Sequence, residues 1–173
     1  MIMVQNFRIK VDPFLTRLLI GVFGIIAGTL SWAQVALAYQ NLNNAHFIGQ
    51  DLRGRVSGST TFVNSDLSYA VLAGAQLTGS IFTKANLAHA NLQGANLTGS
   101  MLDLANLDYA NLTNANLTGS ILSRASLYQA EIEGADFTDA ILDHVTLLDL
   151  CQRATGVNPA TGEKTAASLG CDS

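Results

Sequence analysis

The chain has 173 residues, 49% of them hydrophobic but only 7% aromatic and 13% charged, which is enough for one domain with a sizeable core. Its apolar content is mostly Leu and Ala, so the interior should be narrow and uniform, unlike the mixed large side chains of an enzyme core. The formal net charge is −4, a balance that repels nucleic-acid phosphate and anionic lipid and argues against either as a partner.

The N-terminus reads as a secretory signal over residues 1–38. Arg8, Lys10 and Arg17 form a basic start, and Leu18 to Trp32 is an uncharged apolar run. Ala36 and Ala38 place small residues where a signal peptidase needs them, so cleavage is expected after Ala38. An uncleaved anchor is the alternative, because the run extended to Ala38 could barely span a bilayer. Thr29, Ser31 and Gln34 weaken it, and no stable membrane span is expected after cleavage. Arg8 and Arg17 do not form a twin-arginine pair, which favours the general secretory route. Cleavage removes three of the nine basic residues and one of the thirteen acidic ones, leaving a formal charge of −6.

Residues 39–59 form an irregular first coil. Leu42, Phe47 and Leu52 are five apart, but Ser57 falls where an apolar residue belongs, between Gly54 and Gly58. From residue 60 to 149 the five-residue beat is regular. It runs through the columns Leu67, Leu87, Leu107 and Leu127, then Leu72, Leu92 and Leu112, then Leu77, Leu97 and Leu117. Phe62, Phe82, Leu102, Leu122, Ile132, Phe137, Leu142 and Leu147 continue it. Two residues before each large residue stands Ala or Ser almost throughout, and Asn or Asp usually lies between, as in Ala85-Asn86-Leu87.

A period of five suits neither standard element. On an α-helix it rotates the column by about 140° per step, and on a strand it alternates faces because five is odd. The pattern requires the backbone to turn a corner every five residues, with four corners closing a twenty-residue coil. Leu-Thr-Gly-Ser recurs with that longer beat at Leu77, Leu97 and Leu117, so like residues stack on like, as in a solenoid.

The runs Ala85-Asn86-Leu87-Ala88-His89, Ala90-Asn91-Leu92-Gln93-Gly94 and Ala95-Asn96-Leu97-Thr98-Gly99 resemble the signature of the pentapeptide-repeat family. The resemblance implies an all-β solenoid: a right-handed quadrilateral β-helix with the large and small residues inward and the other three outward.

An open solenoid end needs covering, and residues 150–173 are expected to form a short helical cap. Residues 145–154 suit one helix and Ala166–Leu169 another turn, with Asn158-Pro159 and Thr161-Gly162 between them. Cys151 and Cys171 are the chain's two cysteines. In an exported chain they are expected to pair, which would contribute about 3 kcal/mol for a loop of this length; two free thiols or a metal pair are the alternatives. The tail from Gly156-Val157-Asn158-Pro159 to Ser168-Leu169-Gly170-Cys171 is similar to that of thylakoid lumenal pentapeptide-repeat proteins of the cyanobacterial type. That likeness implies the thylakoid lumen, or else the periplasm.

Little in the sequence carries chemistry. His46, His89 and His144 have no cysteine or second histidine at ligand spacing, no phosphate loop or nucleophile elbow appears, and no catalysis, metal or cofactor is expected. Glu131, Glu133, Asp136, Asp139, Asp143 and Asp149 gather towards one end and read as a solvated acidic surface. Three surface columns stand out. Ile81, Met101, Ile121 and Ile141 lie twenty apart where Asn is the rule, forming an apolar stripe about 15 Å long at strand spacing, which Leu104 widens. Such a stripe fits a protein partner or a homodimer. Thr78, Thr98, Thr118 and Thr138 form a hydroxyl column, an ice-binding surface only as a remote alternative. Tyr69, His89 and Tyr109, with Tyr128 nearby, form a mixed aromatic column.

The reading is a non-catalytic scaffold or binding surface. Its alternative is an acidic rod that mimics DNA and inhibits a gyrase-type enzyme, as quinolone-resistance pentapeptide proteins do. If the columns are internal, Leu107→Ala should cost about 2–5 kcal/mol of unfolding free energy, measured by urea denaturation.

Overall fold

The computed structural model describes residues 41–171; the predicted signal segment lies outside them. Each five-residue segment closes one corner through a single local hydrogen bond, as from the Ala90 N–H to the Leu87 carbonyl at 3.0 Å. The third residue of that turn has positive φ, 59° at His89 and 63° at Gly94, as in a type II turn. Three of the remaining four amides bond between coils. Asn86 donates to Ser65 in the coil before at 2.9 Å; Leu87 and His89 donate to Asn106 and Asp108 in the coil after at 2.7 and 2.9 Å.

The result is four ladders of parallel bridges at twenty-residue spacing, such as Asp66 to Asn86 to Asn106 to Ser126. Each side makes isolated bridges; among the described residues none lengthens into a strand. The reason is geometric, because a corner every five residues leaves too little straight backbone. The Asn or Asp before each leucine also has a local task. Its side-chain oxygen accepts the N–H two residues on, as from Ala88 to Asn86 at 3.2 Å and from Thr118 to Asn116 at 2.9 Å.

The leucines of all the columns expected to be internal, Leu67 through Leu127, are buried, most at zero exposure. Ala85, Ala90, Ala95 and their equivalents are buried between them, so one large and one small residue per corner fill the coil. Phe62 and Phe82 stack at 4.9 Å near the N-terminal end, and Phe47 meets Phe62 edge-on at 6.1 Å.

The break expected over Gly54–Ser59, a distorted corner with the register restored at Phe62, takes the form of a displaced corner. Ser57 bridges to Gln76, and the Gly58 N–H donates to the Gln76 carbonyl as a leucine amide does elsewhere. Gly58 therefore holds the central position and Ser57 the outer one. Six residues separate the Asp51 and Ser57 bridges and four separate Ser57 from Thr61, so an insertion is cancelled by a deletion within one coil. Val56, 4% exposed, points inward where Ala or Ser is usual and offsets the side chain that Gly58 lacks.

The ladders end at Ile141, before the expected residue 149. Helix α1 spans His144–Cys151 and helix α2 Thr165–Ser168. Leu147, expected as a last inward leucine, lies in α1, where its N–H donates to the Asp143 carbonyl at 2.9 Å. The signature had already lapsed there: Val145 and Thr146 stand where a small residue and Asn or Asp belong. Cys151 and Cys171 are joined by a disulfide, with an S–S distance of 2.07 Å. Among the described residues no helix is long and apolar enough to cross a membrane.

The inner serine column divides by its bonding. Ser80 Oγ donates to the Gly58 carbonyl at 3.0 Å and accepts from the Thr60 N–H at 3.1 Å. Ser100 and Ser120 are fully buried and their hydroxyls have no partner. Since alanine fills equivalent positions, Ser100→Ala and Ser120→Ala should be neutral or stabilising by up to about 1 kcal/mol. Ser80→Ala should instead cost about 1–2 kcal/mol. Urea midpoints of the three variants check this.

Candidate interaction surface

The twenty-residue repeat turns every outward position into a column, so surface chemistry here is a matter of ladders. The expected apolar stripe is one of them. Thr61, Ile81, Met101, Ile121 and Ile141 bridge in succession. Ile81 and Ile121 are half-buried, whereas Met101 and Ile141 are 40% and 55% exposed, and Leu104 beside them is 38% exposed. At this column an Asn or Asp would accept the amide two residues on, and Ile or Met cannot. The sequence gives up a local hydrogen bond at the three turns after Ile81, Met101 and Ile121 and places apolar surface in water.

The threonine column is turned to internal use. The hydroxyls of Thr98, Thr118 and Thr138 each donate to the Asn or Asp two residues earlier, at 2.6–2.7 Å. Their protons are spent on the turn, which removes the regular donor array that an ice surface would meet.

The aromatic column is ordered. Tyr69 and His89 stack at 4.7 Å with 3° between planes, His89 and Tyr109 stack at 4.9 Å with 3°, and Tyr109 meets Tyr128 edge-on at 5.6 Å and 89°. All three stacked residues sit at positive φ, 58–60°, where a side chain costs about 1 kcal/mol relative to glycine. His89 is thus part of a stack, and His144 is an exposed residue at the start of α1. Among the described residues no group of His, Cys, Asp and Glu is placed to hold a metal ion. A shallow depression of about 240 Å³ lies over Thr113, Glu131, Ile132, Glu133, Arg153 and Thr155; its arginine is already engaged by Asp149 and the Leu127 carbonyl.

Arg153, and Asn158 beyond its part in the expected turn, fasten the tail to the last coils. The Arg153 guanidinium donates to the Ala130 carbonyl, to the Leu127 carbonyl at 2.9 Å and to Asp149 at 3.0 Å. Asn158 is fully buried. Its amide donates to the carbonyls of Asn114, Ala115 and Gly134 at 2.9–3.2 Å, while its oxygen accepts from Ala160 and Thr161. Asn158-Pro159 gave away the turn but not the reach of the other half of the amide. Backbones close in at the same place: a Cβ on Gly156 would lie 2.7 Å from the Gly134 nitrogen, so only glycine fits.

The comparisons with known proteins agree with the ladders. The pentapeptide-repeat model matches in eight copies over residues 60–99, 80–119 and 105–143. A pentapeptide-repeat protein from the Arabidopsis thaliana thylakoid lumen is 31% identical, over 84% of this chain and 97% of its own, with a TM-score of 0.55. The chain belongs to the pentapeptide-repeat family. Pentapeptide-repeat proteins fold as right-handed quadrilateral β-helices. The cyanobacterial repeat protein Rfr23 from Cyanothece 51142 is 34% identical over 60% of this chain and 64% of its own, with a TM-score of 0.49. The fluoroquinolone-resistance protein QnrB1 is 17% identical over 61% of this chain and 74% of its own, with a TM-score of 0.31. A sequence comparison with curated proteins finds no match.

In this pentapeptide-repeat protein one carboxylate links repeat and tail. Burial pushes the Asp136 carboxyl up, but hydrogen bonds from the Thr138 and Thr161 hydroxyls and the Thr138 amide outweigh it and hold it below the usual Asp value. Asp136 is 2% exposed. A carboxyl depressed on folding contributes stability that is complete above the unfolded value of about 4 and is lost as pH falls through the lower folded value. Wild type should therefore exceed Asp136→Asn in urea midpoint at neutral pH. The gap should narrow as pH falls below about 4, the unfolded value, and close as the folded carboxyl protonates.

Proposed function

We propose that this pentapeptide-repeat protein is a non-catalytic interaction scaffold, and that the face bearing Ile81, Met101, Ile121 and Ile141 is its contact surface. The single observation behind this is that the face forgoes its turn hydrogen bonds to present an unbroken apolar ladder. A protein partner or a second copy of the chain are the occupants it suits. The tail acts as a cap: Arg153, Asn158 and Ser168, whose Oγ accepts the Phe137 N–H at 3.0 Å, satisfy backbone groups of the last coil, and the disulfide holds the two helices of the cap together.

We place the protein outside the cytoplasm, after loss of residues 1–38, in the thylakoid lumen or the periplasm. The signal-like N-terminus, the disulfide and the likeness to a lumenal protein support that location. The charge pattern disfavours the gyrase-inhibitor alternative. A DNA mimic presents charge along its length, as phosphates do at 3.4 Å per strand, but no acidic residue occurs between Leu67 and Leu102.

Replacing Met101 and Ile121 together by Glu tests the reading. The double variant should keep its urea midpoint within about 0.5 kcal/mol, as surface substitutions do. It should lose the neighbours recovered by proximity labelling in the native compartment, or the dimer seen by sedimentation. An unchanged labelling profile and unchanged sedimentation would overturn the assignment of this face.

A further inference from the structure

The aromatic column on another face stops one rung short. Tyr69, His89 and Tyr109 occupy the same turn position in successive coils, and the residue at that position one coil earlier is Gly49, with φ 65°. A Cβ on Gly49 would meet nothing within 4 Å. His89 is covered on both sides by tyrosine rings, whereas among the described residues Tyr69 has a stacked ring on one side only and is 58% exposed, more than the 48% of Tyr109. Its open face looks onto the space above Gly49, with the half-exposed Ile48 beside it.

The stack also shows what kind of group suits that space. Tyr69 and Tyr109 lie parallel to the imidazole ring between them, whereas Tyr128, one position earlier in its own turn than the column, meets Tyr109 edge-on. A flat slot against the negative face of a tyrosine fits a planar cation. The charge of this face agrees: its outward columns carry Asp66 and Asp108 and no Lys or Arg, with His46 at its N-terminal edge. Asp66 is kept ionised foremost by the Ser68 hydroxyl, at 2.7 Å.

We propose that the vacant rung above Gly49, walled by the open face of Tyr69, is a binding site for the guanidinium of an arginine side chain from a partner protein. The guanidinium stacks on Tyr69 as the next step of the ladder, in the field of an acidic face. The site is independent of the apolar stripe, and either can stand without the other.

Acetyl-arginine amide, acetyl-lysine amide and acetyl-phenylalanine amide, titrated separately into the full chain and followed by NMR, test the site. The arginine compound should shift the Gly49 amide and the Tyr69 ring signals, and its own Hε should move upfield. The lysine compound should produce a several-fold smaller response and the phenylalanine compound none. Gly49→Tyr fills the rung with a residue the same column already accepts at positive φ, and should abolish the arginine response. Tyr69→Ala removes the wall and should do the same. No response to arginine, an equal response to lysine or phenylalanine, or a response that survives in Gly49→Tyr would each overturn the proposal.

Discussion

The bond from each leucine amide to the carbonyl one coil later is the constraint on which the molecule depends. It is repeated at each corner from Leu67, which bonds to Asn86, through Leu117, which bonds to Asp136, at 2.7–2.8 Å. Two coils can bond in this way only if their corners coincide, so coil length is held at twenty residues along the whole ladder. The segment between Asp51 and Thr61 shows how strict this is. An extra residue before Ser57 is tolerated because a missing one follows it, and the Thr61 bridge to Ile81 returns to register.

Because coils coincide, side chains coincide too, and this shapes the surface as well as the interior. One substitution adds a single group to the surface, but the same choice in successive coils adds a ladder. Where Asn holds the column, its oxygen is absorbed by the turn, and the face is polar and self-satisfied. Where Ile or Met holds it, the turn goes without that bond and a stripe of apolar surface results. The Tyr69–His89–Tyr109 column follows the same rule at a different position, with rings brought to stacking distance by the coil spacing itself.

A solenoid's stability is local between neighbours, so its ends need separate treatment. The C-terminal tail supplies this with polar chemistry more than with apolar area. Arg153 and Asn158 place donors on carbonyls of the last coils, and Ser168 offers an acceptor to Phe137. The glycines Gly134 and Gly156 let the two backbones approach closely enough for it. The Cys151–Cys171 bond then ties the end of α1 to the residues after α2.

The fold was legible in the sequence because a period of five with alternating large and small residues has one geometric solution. Leu87, Leu107 and Leu127 could therefore be assigned to one column without coordinates, and so could the stripe through Met101. The cysteine pair followed from their number and the apparent export signal. Other features were not available from the pattern. The register shift at Ser57 involves Val56 and Gly58 exchanging roles, which a fixed stride of five cannot register. The tail contacts of Arg153 and Asn158 join residues more than twenty positions apart outside any repeat, so no periodicity announces them. The parallel stacking of His89 between two tyrosines, and the empty step above Gly49, depend on side-chain orientation. Composition and spacing determined the columns, while the tertiary structure decided which way their side chains turn and where the stack is left open, because those are settled by close packing between coils and not by the order of residues along the chain.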